Sequence, residues 1–151
     1  MDSRDSIAAS SGGGHRMVVP NNLSELTRVC EWLRGFAHER RLAGRAAHWL
    51  ELTVNEALTN IICHAYGDHA RHEIVVDLIA QPDRIRVEIE DDGIPFNPLE
   101  LPIAAQPENL EKSAQTGRGI PLMRSFMDEL HYQRRDNRNI LTMVLLNTHL
   151  R

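Results

Sequence analysis

The segment from Arg45 to Ala65 constrains the fold more than any other. Leu50, Val54, Ala57, Leu58, Ile61, Ile62 and Ala65 recur in it at helical spacing, and together they make an apolar face wider than a surface helix needs. Such a helix must be covered on most sides. Yet it carries Glu56 and Asn60 one turn apart, with Thr53 and His64 extending the polar stripe in both directions. A carboxylate and an amide in that setting need partners or a ligand. Tyr66-Gly67-Asp68 ends the helix, and two strands follow. HEIVVDLIA is near-continuously apolar, and RIRVEIE alternates strictly, with Ile85, Val87 and Ile89 on one face. Gln81-Pro82-Asp83 is the turn between them.

The rest of the chain fills in around this unit. Met1 to Gly14, rich in Ser, Gly and Asp, is expected to be a disordered tail, and residues 15–151 a single domain. His15 to Val19 is a short strand stopped by Pro20. Asn22 with Glu25 three residues on reads as a capping box. Leu23, Leu26, Val29, Cys30, Leu33 and Phe36 then form a helix that ends before Gly44. Pro95 to Thr116 holds four prolines, Pro95, Pro98, Pro102 and Pro107. A long aperiodic stretch inside a domain is commonly functional, here a lid over about 99–116. A third helix opens at Gly117-Arg118-Gly119, and HYQRR with NILTMVLLN forms a hairpin across Asp136-Asn137. The order β-α-α-β-β-lid-α-β-β predicts an α+β fold, a two-layer sandwich with a mostly antiparallel sheet under helices.

Composition narrows the function classes. With 151 residues and 42% apolar content the chain builds one soluble core. No apolar run spans a bilayer and the N-terminus lacks a signal-peptide pattern, so a cytoplasmic location without membrane contact is expected. Net charge is −4 and no segment gathers Lys and Arg, which argues against direct nucleic-acid binding. Cys30 and Cys63 are expected to be reduced, semi-buried thiols. His64, His69 and His72 lie close together, but their spacing suits no common metal site, and they read as polar residues around a helix-to-strand loop.

Three local patterns carry chemistry. The Asn60 amide oxygen is a hard ligand suited to Mg²⁺, and Glu56 one turn away is placed to orient or deprotonate a hydroxyl aimed at a phosphate. RIRVEIE runs directly into EDDGIPFNP, where Asp91 or Asp92 can accept from an exocyclic amine such as adenine offers, although Asp-Gly also marks ordinary turns. TGRGIPLM sets Gly-x-Gly before a helix, where backbone N–H groups and the helix N-terminus favour an anion such as a triphosphate.

The three patterns, E-x-x-x-N on a helix, D-x-G after a strand and G-x-G before a helix, resemble in order and context the nucleotide-binding boxes of the GHKL ATPases. NEALTNIICHAYGD, IEDDGIPFNP, TGRGIPLMRSFMDELHY and the closing NRNILTMVLLN resemble more narrowly the anti-sigma-factor serine kinases of the RsbW and SpoIIAB type. The resemblance covers about Met17 to Asn147. It implies that Asn60 coordinates Mg²⁺, that Glu56 is the general base, that Asp91 holds the adenine amine and Gly93 lets the base approach. It further implies that Gly117, Arg118 and Gly119 wrap the phosphates of ATP or ADP, with Thr116 an additional contact, while His64 and Tyr66 are structural. The activity implied is phosphorylation of a serine or threonine on a STAS-type anti-sigma-factor antagonist, with sequestration of a sigma factor; the alternative is an ATP-binding partner switch without kinase activity. A homodimer through the first strand and helix is also expected. A detached histidine-kinase ATPase domain is disfavoured, because no dimerisation helix precedes it and no histidine lies in a phospho-acceptor motif. Two positions depart from the family pattern. Pro95 stands where a second glycine is usual, and Gln115 stands near the place of a basic residue that reaches the γ-phosphate, a role open to Lys112 or Arg118.

Overall fold

The computed structural model describes residues 7–10, 14–97 and 127–146. Its elements are β1 (Ile7–Ser10), β2 (Gly14–Pro20), α1 (Leu26–Glu39), α2 (Gly44–His64), β3 (Glu73–Gln81), β4 (Arg84–Asp91), β5 (Glu129–Arg135) and β6 (Arg138–Leu146). The described strands make one antiparallel sheet in the order β1-β2-β3-β4-β6-β5. Strand alternation becomes rows across it. Met17 faces Val76, Val76 faces Ile89 and Ile89 faces Leu141; in the next row Leu78, Val87, Met143 and Leu130 follow one another.

Both helices cover this apolar face. Val29, Leu33 and Phe36 of α1 and Leu50, Val54, Ala57, Leu58 and Ile61 of α2 join the sheet residues in one buried cluster. The opposite face carries charged pairs, Arg16 with Asp77, Arg86 with Glu88 and Arg138 with Glu90. One apolar and one charged face make the sheet a single layer under helices, the α+β sandwich that the element order predicts. The β5–β6 hairpin turns at Asp136 and Asn137, both left-handed with φ of 54° and 62°, as a two-residue turn matched to strand twist requires.

Three local expectations change. Ile7–Ser10 lies in the segment expected to be a disordered tail, yet it is a strand in register with Met17 to Gly14 of β2, and Gly14 itself is buried in β2. The open edge of β2 supplies the backbone partners that a composition-based reading does not count. Asn22 caps a short 3₁₀ turn, Leu23–Glu25, by accepting from the Ser24 N–H at 3.0 Å. Glu25 pairs with Arg28 at 2.9 Å instead of closing a capping box. Cys63 is exposed, not semi-buried, because it lies on the outer side of α2, while Cys30 is half-buried. The lid, the third helix and Asn147 lie outside the described residues.

Candidate functional site

The polar stripe of α2 divides into satisfied and unsatisfied members. Thr53 is fully buried and its hydroxyl donates back to the Trp49 carbonyl at 2.8 Å, so the helix itself accommodates it. Asn60 is 1% exposed, and neither Oδ1 nor Nδ2 has a hydrogen-bond partner among the described residues. One turn earlier the buried Oε2 of Glu56 is likewise unpartnered, and burial pushes its carboxyl above the usual carboxylate range. Each unsatisfied buried polar group costs about 1–3 kcal/mol, so these atoms on adjacent turns would gain from a partner. A hard oxygen donor beside a carboxyl of raised pKa fits Mg²⁺ and a proton acceptor.

The end of β4 is the second half of the site. The alternation that turns Ile85, Val87 and Ile89 inward carries Asp91 inward as well, and it is 2% exposed. Its Oδ1 accepts from the Gly93 N–H and from Asn139 Nδ2, each at 2.9 Å. Burial raises the Asp91 carboxyl and these two bonds oppose the rise. Asn139 lies directly opposite Asp91 in the β4–β6 register. It also donates to the Ile94 carbonyl at 2.8 Å and accepts from Tyr132, Arg134 and the Phe96 N–H. Arg134 adds a bond to the Gly93 carbonyl at 2.7 Å.

Gly93 joins the two halves. A Cβ there would lie 2.4 Å from the Ala65 carbonyl oxygen, at the end of α2, and the next N–H, of Ile94, donates to that oxygen at 2.8 Å. The glycine therefore admits the α2 backbone to the loop, a contact distinct from the base approach that the resemblance implies. Phe96 lies beside His64, with ring centroids 6.1 Å apart.

An inward carboxylate at a strand end thus lies in a loop that docks, through Gly93 and Ile94, on the end of the helix that carries Glu56 and Asn60. Residues 19–145 match the family model described as the histidine kinase-like ATPase domain. The chain belongs to this family. Its relatives include the serine/threonine-protein kinase BtrW of Bordetella bronchiseptica, 33% identical over 78% of this chain and 82% of that protein. The serine-protein kinase RsbW of Bacillus mycoides is 23% identical over 83% and 80% of the two chains. An anti-sigma F factor of Oceanobacillus iheyensis is 29% identical over 54% of this chain and 56% of that one. Among solved structures, the blue-light activated histidine kinase of Erythrobacter litoralis shares the fold, with a TM-score of 0.50 and 22% identity over 81% of this chain and 40% of the other.

Within this ATPase-domain family member, Glu56 and Asn60 lie on α2, Asp91 ends β4 and Gly93 lies two residues beyond it. Thr116, Gly117, Arg118 and Gly119, with Lys112 and Gln115, lie outside the described residues. No cluster of three or more metal-ligating His, Cys, Asp or Glu occurs among the described residues, and none of the described helices is long and apolar enough to cross a membrane. The residues that sequence reading missed are Asn139, Tyr132 and Arg134. A signal for Asn139 was present: it shares the inward parity of Leu141, Met143 and Leu145. The near-continuous apolar run of β6, in which Ile140 and Val144 are also buried, hides that parity.

Proposed function

We propose that the protein binds Mg-ATP and phosphorylates a serine or threonine hydroxyl of a STAS-type anti-sigma-factor antagonist, and that it sequesters a sigma factor as the other arm of a partner switch. The observation that carries this reading is the orphaned pair Glu56 and Asn60 on one rigid helix. The kinase and anti-sigma names of its relatives support it. Asp91 would receive the adenine amine, and Asn60 would offer Oδ1 to Mg²⁺, whose charge offsets that of the phosphates. The substrate hydroxyl oxygen forms a bond to the γ-phosphorus, the bond from that phosphorus to the β,γ-bridging oxygen breaks, and ADP leaves. Glu56 takes the hydroxyl proton, a role its raised pKa suits. The work of such a site is mainly positioning and charge neutralisation.

A second reading, an ATP-binding partner switch without transfer, is favoured by two residues. Pro95 removes an N–H from the loop after β4, and Gln115 stands near the place where kinases of this type can carry a basic residue. Incubation with γ-labelled ATP and a candidate antagonist separates the two readings. Label on the antagonist supports the kinase; nucleotide and partner binding without label supports the switch; absence of nucleotide binding by calorimetry overturns both. A homodimer belongs to the same reading, and a monomer mass by light scattering, with and without nucleotide, would remove it.

A further inference from the structure

His72 lies just ahead of β3, and its backbone is anchored on both sides of the peptide. Its N–H donates to Asn21 Oδ1 at 2.9 Å, and its carbonyl accepts from the Asn21 N–H at 3.0 Å. The ring stacks on Tyr66 with centroids 4.3 Å apart and planes at 14°. Nε2 is 2.7 Å from Asp68 Oδ1, and Nδ1 is 3.2 Å from Asp92 Oδ1. A carboxylate only accepts hydrogen bonds, and a neutral imidazole has a single N–H to give. Both contacts are therefore made together only when both ring nitrogens carry protons. Deprotonation sets a nitrogen lone pair against one of the two carboxylates, and that contact opens. Asp92 is the residue after Asp91, so the contact reaches the loop that ends in Gly93 and Ile94.

We propose that His72, in its doubly protonated form, is a positioning residue for the nucleotide loop: it ties Asp92 to Asp68 and makes nucleotide retention fall as pH rises. The proposal rests on the nucleotide-binding reading above. The groups facing the ring are Asp68 and Tyr66 from the α2–β3 loop, Asp92 from the end of β4 and the neutral Asn21 between β2 and α1. His69, Arg71 and Glu73 flank His72 in sequence and make no bond to its ring among the described residues. Burial pushes the Tyr66 phenol well above its ordinary value, so Tyr66 contributes a neutral face. Asp68 most, and Asp92 after it, raise the His72 ring above the usual histidine value, against the lowering effect of burial. The same Asp68 bond holds that carboxyl below the usual range. With the pKa raised, the clamp is fully present below the ordinary histidine value and is lost as pH climbs through the raised one.

The test uses the whole chain and two readouts. Ring-nitrogen NMR follows His72, and calorimetry with Mg-ADP from about pH 5.5 to 8.5, the span of histidine titration, follows the loop. Wild type is compared with His72→Gln, which can donate from one position only, and with Asp68→Asn, which leaves the ring in place. Ionisation of the nucleotide phosphates is common to all three proteins and cancels in the differences. Wild type should bind roughly fivefold or more tightly than His72→Gln at the acid end, with the advantage vanishing at the alkaline end. Asp68→Asn should shift that midpoint to lower pH. A ring that stays singly protonated across the range overturns the proposal, as do parallel pH curves for wild type and His72→Gln when both bind nucleotide. If wild type binds no nucleotide at any pH, the nucleotide-binding reading fails and the proposal with it.

Discussion

Two polar clusters of this protein each hold a buried asparagine and behave differently. Asp91 and Asn139 form a closed network, in which Asn139 makes bonds through both ends of its amide and Asp91 is held from two directions. Glu56 and Asn60 are one turn apart on α2 and leave three buried polar atoms without partners among the described residues. A satisfied network rigidifies the backbone around it, whereas a partly satisfied one is destabilising on its own. The closed cluster therefore holds a loop in shape, and the open one is where a ligand would gain most by binding. Removing Asn139 from the first should cost stability, and removing a residue from the second should cost function.

The largest effect expected is on chemistry. Glu56→Gln should keep Mg-nucleotide and partner binding while transfer to the antagonist falls by roughly 10²–10⁴-fold, the usual range for a general base. Full transfer in the variant would take Glu56 out of the base role. The same substitution sharpens the contrast in stability. The folded-state pKa of Glu56 is raised, so its relative stabilisation is present below the unfolded value and lost as pH rises through the folded one. Glu56→Gln should therefore gain on wild type in denaturant titrations at neutral pH, and the gain should close as the solution is acidified.

Asn139→Ala comes next. It strands the Ile94 carbonyl and the Phe96 N–H and takes one of two donors from Asp91. The loss of unfolding free energy should be on the order of 3 kcal/mol. An unchanged denaturation midpoint would mean that the network is not closed as described.

Gly93→Ala puts a methyl group against the Ala65 carbonyl, and overpacking of this kind typically costs about 1–3 kcal/mol. Hydrogen exchange at the Ile94 amide, which donates to Ala65, should quicken if the loop is pushed off α2. Protection equal to wild type would show that the loop absorbs the methyl group elsewhere.

Asn60→Ala should have the smallest effect on the free protein. The substitution removes an amide with no partner among the described residues, so the denaturation midpoint should hold or rise, while calorimetry should show weaker Mg-nucleotide binding. A clear loss of stability would place Asn60 in the closed class and break the comparison.

Much of this architecture could be read from local pattern. The apolar breadth of α2, the alternation of RIRVEIE and the Asp136-Asn137 turn specify elements whose forces act over neighbouring residues. The Glu56 and Asn60 stripe was visible for the same reason, since helical periodicity alone puts both on one face. Ile7–Ser10 was not visible, because so short a strand is stabilised by the edge it joins. Asn22 with Glu25 carried a capping-box pattern, but a 3₁₀ turn and the nearby Arg28 claimed those side chains.

By itself the sequence determined the two described helices, the strands from β2 to β6 with the faces they turn inward, and that an acidic residue and an Asn lie one turn apart on α2. Those follow from periodicities of a few residues. Only the tertiary structure decided what each inward polar group meets. Asp91 and Asn139 are 48 residues apart and become partners because β4 and β6 are neighbours in a sheet whose strand order departs from chain order. Gly93 has no room for a side chain because α2 ends against it. The physical reason is the same in both: register and layer packing are set by summing apolar contacts over the whole sheet, and no local signal at Asn139 or Gly93 carries that sum.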